Sequence, residues 1–456
     1  MAFMLQVYIV RYGGCNLKIA LESLGCSKNL VDAEIMLGLL NKNGHQLVGD
    51  YNDADIVIVN TCGFIESAKQ ESIDSIVQYA NLKNEGSLSY LLVSGCLAQR
   101  YPDELMEEIP EIDAIVGTGS YQNITDVVED LTKRDGIRLI EDINFSFNED
   151  LPRYVSTPDH LAYLKIGEGC DNHCTYCIIP KLRGKYRSRD IESLLEEAKE
   201  LKEAGVKELV VIAQDTSVYG RDLYGKPNLA GLLEGLAQID FDWVRFMYSY
   251  PEGISQEIVD VVAKYDNICS YFDIPMQHAS DRILKLMNRK TSRQELKDKV
   301  DMIRSKIPDA TIRTTFIVGF PGERDEDFEE LIDFVEEMKL DRMGAFTYSR
   351  EEDTPADKLD GHLCQEIKDE RLQRLMMVQQ VISEELNRKK IGKIFKVLIE
   401  DQVDDSLYIG RTQCDAEDID SVIYVESRQN LEIGDFVNVV VKEAFEYDLK
   451  GCLEDN

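Results

Sequence analysis

Three cysteines lie within eight residues of this chain, in the stretch "GEGCDNHCTYCIIPKLRGKYRSR". Cys170, Cys174 and Cys177 have the spacing Cys-x-x-x-Cys-x-x-Cys, one thiolate short of the four ligands of a structural zinc or a fully ligated iron-sulfur cluster. Three thiolates on a four-iron cluster leave one iron open to a small molecule with amino and carboxylate groups. A zinc knuckle completed by His173 or a distant cysteine is the alternative, although zinc sites favour paired Cys-x-x-Cys units. The spacing therefore favours an iron-sulfur site with an open position.

Three more cysteines each follow an apolar segment in the first third of the chain. Cys26, Cys62 and Cys96 stand in "LGCSKN", "NTCGF" and "SGCLA". The carboxyl ends of parallel strands share one edge of a sheet, so we expect the three thiols to meet there. A single cysteine at a strand end is commonly just a small buried residue, but three equivalent positions favour a second metal site. Such a site could carry an exogenous sulfur atom, which suggests sulfur insertion. The other cysteines form no group and are assigned no role: Cys15, Cys269, Cys364, Cys414 and Cys452.

Alternating apolar and helix-forming segments predict three domains. From Leu17 to about Arg134, short β-rich runs such as "DIVIVNTCG" alternate with helical stretches, as in a flavodoxin-like parallel sheet. Six further strand-helix units begin near His160 and predict a partial (β/α) barrel, whose active site lies after the carboxyl ends of the strands. From Ile391 onward, strands separated by turn residues predict a small antiparallel β barrel. The predicted domains are 17–140, 155–388 and 391–456, with a linker around 144–160.

Charge and composition limit the classes of partner. The 456 residues carry 51 Lys plus Arg and 85 Asp plus Glu, a net charge of −34 at pH 7. Nucleic-acid affinity comes largely from neutralising phosphates. A surface this acidic therefore opposes nucleic-acid binding unless positive charge is locally concentrated. The start "MAFMLQVYIVRYGG" has neither the basic flank of a signal peptide nor the length of a membrane span. We therefore expect a cytoplasmic protein.

Polar residues and glycines at the predicted strand ends are candidates for binding a cofactor. Gln214 and Asp215 follow the second barrel strand, and Gln277 and His278 follow the fourth. In "TTFIVGFPGE", Gly319 and Gly322 follow the fifth strand and permit close approach of a ligand to the backbone. Ordinary turns and satisfied polar residues would give the same pattern. No metal ligation is assigned to His278.

These motifs resemble a known family. The stretch "GCDNHCTYCIIP" after a first barrel strand is similar to that of the radical-SAM superfamily. Together with a three-cysteine sheet domain and a small barrel similar to a TRAM domain of the OB-like kind, it resembles the methylthiotransferases from about Leu17 to the end. The first sixteen residues fall outside the resemblance.

Four stretches indicate which branch of that family the chain resembles. "LESLGCSKNLVDAE", "NTCGFIESAKQESI", "VVIAQDTSVYG" and "PMQHASDRILKLMNR" are similar to the RimO family, which modifies an aspartate of small-subunit ribosomal protein S twelve. The branch that modifies a tRNA adenosine reads closer to "GCQMN" and "QSGS". Independently, residues 391–456 contain 6 basic and 16 acidic residues, which suits a basic ribosomal protein better than tRNA.

The resemblance implies a role for each cysteine group. Cys170, Cys174 and Cys177 would hold one 4Fe-4S cluster that cleaves S-adenosylmethionine to a radical. Cys26, Cys62 and Cys96 would hold a second 4Fe-4S cluster, at which another S-adenosylmethionine methylates sulfur. The radical would remove hydrogen from the aspartate β-carbon, which is too weakly acidic for a general base near neutral pH. No catalytic residue beyond the ligands is assigned, and the sheet domain is expected to cover the barrel mouth.

Two other functions stay open at this point. A tRNA adenosine methylthiotransferase would need a basic, aromatic-bearing surface, which the C-terminal sequence lacks. A non-catalytic iron-sulfur scaffold or redox sensor would bind iron without cleaving S-adenosylmethionine. The resemblance also implies an electron donor and a sulfur donor, neither of which the sequence identifies, and it implies no membrane partner.

Overall fold

The computed structural model describes residues 16–131, 133–134, 136–145 and 151–454, so Cys15 lies outside the described residues. The chain divides into two units, Met1–Val155 and Ser156–Asn456. The division falls within the stretch 144–160, and the three domain ranges expected from the sequence stay predictions. Among the described helices, none is long and apolar enough to cross a membrane.

The first unit is a parallel sheet with helices on both faces, which confirms the predicted flavodoxin-like class. Its strands are β1 Lys18–Ser23, β2 Gln46–Leu47, β3 Ile56–Thr61, β4 Tyr90–Ser94, β5 Ile112–Val116 and β6 Ile137–Leu139. Its helices are α1 Ser27–Lys42, α2 Glu66–Asn84, α3 Gly95–Arg100, α4 Pro102–Glu108 and α5 Ile124–Leu131. The strand order β2-β1-β3-β4-β5-β6 is that of flavodoxin-like sheets with one strand added at the edge. The sequence did not predict β2 and β6, which are only two and three residues long.

Strand β3 shows why the sheet is covered on both faces. Its side chains are apolar up to Asn60 and all are buried, as expected for a central strand. Ile56 and Ile58 belong to the apolar cluster that contains residues of α1 and α5. Val57 and Val59 point to the other face and join the cluster with residues of α2, α3 and α4. Burying each of these side chains contributes about 1.5–3 kcal/mol.

The second unit begins with the predicted partial barrel. Its six strands form two three-stranded parallel sheets. One contains β7 Leu161–Lys165, β10 Glu208–Ile212 and β11 Trp243–Phe246, and the other contains β12 Tyr271–Asp273, β13 Thr311–Val318 and β14 Arg342–Thr347. A short antiparallel pair, β8 Gly167–Glu168 and β9 Arg187–Ser188, lies after the first of these strands. The helices are α6 Ile179–Arg183, α7 Ile191–Glu203, α8 Arg221–Tyr224, α9 Leu229–Leu236, α10 Gln256–Lys264, α11 Asp281–Leu286, α12 Arg293–Lys306, α13 Asp325–Met338 and α14 Gln365–Arg388. All six strands predicted from the sequence are present.

A closed five-stranded barrel completes the second unit. Its strands are β15 Ile394–Asp404, β16 Leu407–Thr412, β17 Ile423–Glu426, β18 Phe436–Ala444 and β19 Leu449–Leu453, in the order β15-β16-β17-β19-β18. Four of the five pairings are antiparallel, whereas β17 and β19 are parallel. A closed ring with an odd number of strands cannot alternate direction throughout, so one parallel pair is required.

Buried ion pairs join this C-terminal barrel to the partial barrel. Glu208, the first residue of β10, accepts hydrogen bonds from Arg245 Nε and from Arg411 Nη2 of the C-terminal barrel, both at 2.7 Å. Burial acts to raise the pKa of Glu208, but the two guanidinium groups outweigh it and hold the pKa at about 2. Arg342, the first residue of β14, pairs with Asp415 in the same way, at 3.0 Å from its Nε. The C-terminal barrel therefore contacts the amino ends of the strands and leaves the carboxyl ends to the functional site.

Candidate functional site

Cys26, Cys62 and Cys96 follow three neighbouring strands of the first sheet. Strands β1, β3 and β4 pair in register, and one cysteine lies just beyond the end of each. Cys26 precedes the first residue of α1, and Cys96 lies in the first turn of α3. The positive end of a helix dipole favours a thiolate at such positions.

Two glycines show how closely these cysteines pack. A Cβ on Gly25 would lie 2.7 Å from Cys62 Cβ and 3.0 Å from its Sγ. A Cβ on Gly63 would lie 3.0 Å from the carbonyl carbon of Cys96. Cys62 therefore lies between the other two cysteines, and side chains larger than hydrogen at positions 25 and 63 would push them apart.

A buried pair of asparagines holds this edge of the sheet, and sequence reasoning missed it. Asn29 Nδ2 donates to the carbonyl of Leu24 at 2.8 Å, and Asn60 Nδ2 donates to the carbonyl of Asn29 at 2.7 Å. Asn29 and Asn60 are 2% and 1% exposed, so losing either bond would leave a buried polar group unsatisfied. The available signal was a polar residue at the end of the apolar run "DIVIVN".

The other three cysteines lie in a loop closed at its base by β8 and β9. This loop follows β7, at the carboxyl end of the first barrel strand. Gly169 has φ +77°, and a Cβ there would collide with the carbonyl oxygens of Gly184 and Lys185. Cys170 N–H donates to the Gly184 carbonyl at 3.0 Å, so the two arms of the loop meet directly before the first cysteine.

The three barrel thiols are neighbours in a poorly hydrated site. Burial, followed by repulsion from Asp215 and Cys174, raises the pKa of Cys170 to about 12. Burial also raises the pKa of Cys177, and Cys174 and Cys170 add to that rise. Cys170 and Cys174 are 6% and 3% exposed. The raised pKa values of Cys170 and Cys177 favour their neutral thiol forms, and a bound metal would supply the charge that holds them as thiolates.

Every one of these sulfurs has a hydrogen-bond donor beside it. Asn172 N–H donates to Cys170 Sγ at 3.4 Å, and the backbone N–H of Ile179 donates to Cys177. Cys174 Sγ lies 2.9 Å from the hydroxyl of Tyr250. Donors aimed at sulfur are typical of protein-held iron-sulfur clusters, so the residues present fit such a group.

The zinc alternative requires at least three of the described side chains to be placed around one ion. Among them, no group of three His, Cys, Asp or Glu is placed to hold a single metal ion. Thiolates of a four-iron cluster bind different irons and are therefore further apart than the ligands of one ion. His173, which the zinc alternative offers as fourth ligand beside a distant cysteine, is exposed.

A buried carboxylate fixes both arms of the cysteine loop. Glu168 Oε2 accepts from Lys165 Nζ at 3.0 Å and from Arg183 Nη1 at 3.2 Å, and Glu168 Oε1 accepts from Gln214 Nε2 at 2.6 Å. Burial acts to raise the pKa of Glu168, but Lys165 and Arg183 hold it at about 2. Arg183, in the basic run after the cysteines, is thus a buried structural partner. Gln214 Oε1 is buried and has no hydrogen-bond partner among the described residues.

Asp215 connects the cysteine loop to the second and third barrel strands. Its Oδ2 accepts from Asn172 Nδ2 at 2.7 Å, and its Oδ1 accepts from the hydroxyl of Ser217 at 2.5 Å and from the N–H of Tyr250 at 3.5 Å. Burial raises the pKa of Asp215, and the bonds from Ser217 and Asn172 oppose the rise. Asp215 therefore positions Asn172, whose N–H contacts Cys170.

The other predicted cofactor-binding residues have varied surroundings. Gln277 has φ +72° and bridges to β13 through its backbone. His278 is fully buried, with Nδ1 accepting from Ser280 N–H at 3.0 Å and Nε2 lying 3.5 Å from Glu323 Oε2. The side chain of Lys368 fills the space beside Gly319, whereas the nearest atom to a Cβ on Gly322 would be Leu286 Cδ1, at 3.8 Å.

Three family models match successive parts of the chain: the first sheet, the partial barrel and the C-terminal barrel. Residues 18–117 match the uncharacterized protein family UPF0004, residues 164–335 match the radical SAM superfamily, and residues 391–453 match the TRAM domain. The two cysteine groups fall within the first two matches.

Solved structures show the same fold at low sequence identity. The radical S-adenosylmethionine methyltransferase TsrM from Kitasatospora setae has a TM-score of 0.56 and 13% identity, and the match covers 84% of this chain and 78% of that one. The cobalamin-dependent S-adenosylmethionine radical enzyme OxsB has a TM-score of 0.52 and 14% identity, over 80% of this chain and 56% of that one.

Curated relatives match nearly the whole chain. A protein of Clostridioides difficile (strain 630) named ribosomal protein uS12 methylthiotransferase RimO is 66% identical over 436 residues, covering 95% of this chain and 98% of that protein. The protein of the same name from Lachnoclostridium phytofermentans is 49% identical, covering 96% of this chain and all of the relative. This chain belongs to the RimO family of radical-SAM methylthiotransferases.

Proposed function

We propose that this protein is the methylthiotransferase that converts an aspartate of ribosomal protein uS12 to 3-methylthioaspartate. The observation that carries the proposal is the presence of two separate three-cysteine groups, one after the first barrel strand and one at the edge of the first sheet. A radical-SAM enzyme that only cleaved its cofactor would need the first group alone. The second group is what a sulfur-inserting reaction adds.

Each group has a defined part in this function. Cys170, Cys174 and Cys177 hold one 4Fe-4S cluster, and Cys26, Cys62 and Cys96 hold the other. When bound, the clusters and S-adenosylmethionine supply an electron, a radical, a methyl group and a sulfur atom. The protein itself contributes a poorly hydrated thiol site and an aspartate that positions the loop, since Cys170, Cys174 and Asp215 are all less than a tenth exposed. Excluding water protects a reactive intermediate from side reactions.

Gln214 is the best supported of the predicted contacts to S-adenosylmethionine. Its Oε1 is buried at the carboxyl end of β10 and has no hydrogen-bond partner in the part of the chain that the structure describes, and an ammonium group of a ligand would satisfy it. The other predicted contacts shape the surrounding strand ends: Asp215, Gln277, His278, Gly319 and Gly322. Asp215, Gln277 and His278 have polar groups that already form hydrogen bonds within the protein.

The surface charge of the C-terminal barrel supports a basic protein substrate. Among its described residues ten acidic side chains are exposed, compared with four basic ones: Asp401, Asp404, Asp405, Asp418, Glu426, Glu432, Asp435, Glu443, Glu446 and Glu454 against Lys393, Lys396, Arg428 and Lys442. Such a surface attracts a cationic ribosomal protein and repels phosphates. Action on a ribosomal protein would place the enzyme in the cytoplasm, together with an electron donor and a sulfur donor.

An anaerobic competition experiment tests the proposal. The protein is reconstituted with iron and sulfide, then given S-adenosylmethionine, dithionite, a peptide from the aspartate loop of uS12 and an anticodon stem-loop of tRNA. Mass spectrometry is expected to show the peptide alone exchanging one hydrogen for a methylthio group. Modification of the RNA alone would assign the chain to tRNA chemistry, and modification of neither substrate under conditions where the cofactor is cleaved would contradict both assignments.

A further inference from the structure

The hydrogen bonds to the three barrel sulfurs differ in origin. Cys170 and Cys177 receive theirs from backbone N–H groups of Asn172 and Ile179, within their own loop. The hydroxyl beside Cys174 belongs to Tyr250, which follows β11 and lies 76 residues further along the chain. The contacts from Asn172 and Ile179 are made by the backbone, whereas the contact from Tyr250 is removed by changing its side chain. The side chain of Tyr176 also hydrogen-bonds to Cys174, but it belongs to the cysteine loop itself.

Tyr250 is held in place by a buried arginine. The guanidinium carbon of Arg289 lies 3.9 Å from the centroid of the Tyr250 ring, within the range of a cation–π contact. Arg289 Nη2 donates to the Pro275 carbonyl at 2.7 Å, and Arg289 Nη1 lies 3.9 Å from Cys174 Sγ. Arg289 is 6% exposed, so its positive charge acts in a medium that screens it weakly.

The direction of the effect follows from the charge on sulfur. Either atom of the Cys174–Tyr250 pair can donate while the thiol is protonated, but only the hydroxyl can donate to a metal-bound thiolate. Reducing a cluster adds negative charge that is shared with its sulfurs, and a donor to sulfur stabilises that charge. Hydrogen bonds to the sulfurs are among the factors that set cluster potentials. A cation beside the same sulfur acts in the same direction.

We propose that Tyr250, oriented by Arg289, is a positioning residue that donates a hydrogen bond to Cys174 Sγ and raises the reduction potential of the barrel cluster. The proposal rests on the proposed function, because it requires Cys170, Cys174 and Cys177 to hold that cluster. Tyr250 thereby makes the reduced cluster accessible to a weaker reductant.

A redox titration of full-length variants tests this role. Cys26, Cys62 and Cys96 are replaced by alanine so that the barrel cluster alone gives an electron paramagnetic resonance signal. In that background, Tyr250→Phe is expected to lower the ratio of reduced to oxidised cluster about tenfold at a fixed potential, which is about 59 mV for one electron. Arg289→Gln is expected to shift the potential in the same direction. Tyr219→Phe is the matched control, since the buried Tyr219 donates to the Arg189 carbonyl at 3.0 Å and not to a cysteine.

The outcomes separate this inference from the proposed function. If the cluster is reducible and its potential is unchanged in both Tyr250→Phe and Tyr219→Phe, the inference is overturned, but the assignment of the cluster ligands is retained. An equal shift in both variants would also overturn it, because the effect would then be one of general packing. If the background without the sheet cysteines holds no cluster, the ligand assignment fails and the inference with it. If Tyr250→Phe does not fold, an unchanged potential in Arg289→Gln refutes the orienting role.

Discussion

The two cysteine groups reach the same number of thiols by different routes. In the barrel, Cys170, Cys174 and Cys177 come from one loop of eight residues. In the first sheet, Cys26, Cys62 and Cys96 come from the ends of three strands and are separated by more than thirty residues each. The first group depends on local backbone geometry, whereas the second exists only once the sheet has formed. A short motif can therefore identify the first, but a fold is needed to identify the second.

The groups also differ in how far solvent reaches them. In the barrel group Cys170 and Cys174 are buried and Cys177 is partly buried, and each has a nearby donor. In the sheet group Cys96 is buried, Cys62 is partly buried and Cys26 is exposed. In both groups the first cysteine follows a glycine with positive φ: Gly25 at +88° and Gly169 at +77°. The two groups thus share the backbone turn before their first thiol, but they differ in how well that thiol is shielded from solvent.

Removing one barrel ligand should have the largest effect. We expect Cys174→Ala to abolish both cofactor cleavage and methylthiolation and to lose roughly half of the bound iron. Iron analysis and chromatography of 5′-deoxyadenosine measure these losses. The buried Cys269 lies outside both groups, so Cys269→Ala should retain both activities. Cofactor cleavage by Cys174→Ala would contradict the assignment of cofactor cleavage to the barrel group.

Removing one sheet ligand should abolish only one activity. Cys62→Ala is expected to lose methylthiolation completely while still producing 5′-deoxyadenosine, because the barrel loop is intact. Mass spectrometry of the peptide and chromatography of the nucleoside report the two activities separately, with Cys364→Ala as an exposed control. Loss of both activities would mean that the two groups do not act independently.

Substituting the glycine before each cysteine group should cause smaller losses of activity, selective for the reaction of that group. Gly169→Ala and Gly25→Ala each force a non-glycine residue into a left-handed conformation, at about 1–3 kcal/mol, and introduce a close contact. We expect Gly169→Ala to reduce cofactor cleavage, and Gly25→Ala to reduce methylthiolation alone. Gly205 has φ +106° with open space around it, so Gly205→Ala controls for backbone strain without a clash. Equal losses of both activities in Gly169→Ala and Gly25→Ala would contradict separate roles for the two cysteine groups.

The smallest expected effect is a difference in the rate of iron loss. A chelator should remove iron from the sheet group several times faster than from the barrel group, because Cys26 is exposed while Cys170 and Cys174 are buried. Timed spectra of two variants, each lacking one group, measure the rates. A slower loss from the sheet group would reverse the order of protection that the structure indicates.

The sequence predicted most strands because each is a short apolar run with helical segments on either side. It missed β2 and β6, whose two or three residues carry too little pattern to be recognised. It identified all six grouped cysteines as candidates, since thiols after strands are visible without coordinates. It did not identify Asn29, Asn60, Tyr250 or Arg289, because their importance comes from contacts with residues far along the chain. Polar residues near strand ends are too common to single these out.

The buried pairing of Arg411 with Glu208 also limits how this chain can be recombined with its relatives. A transplanted C-terminal barrel without an arginine at position 411 would leave the carboxylate of Glu208 with one fewer cation in a dry environment. Breaking a buried pair by removing one partner costs about 3–5 kcal/mol. Chimeras between family members should therefore require the two halves of this pair to be exchanged together, so the C-terminal barrel is not a freely interchangeable module.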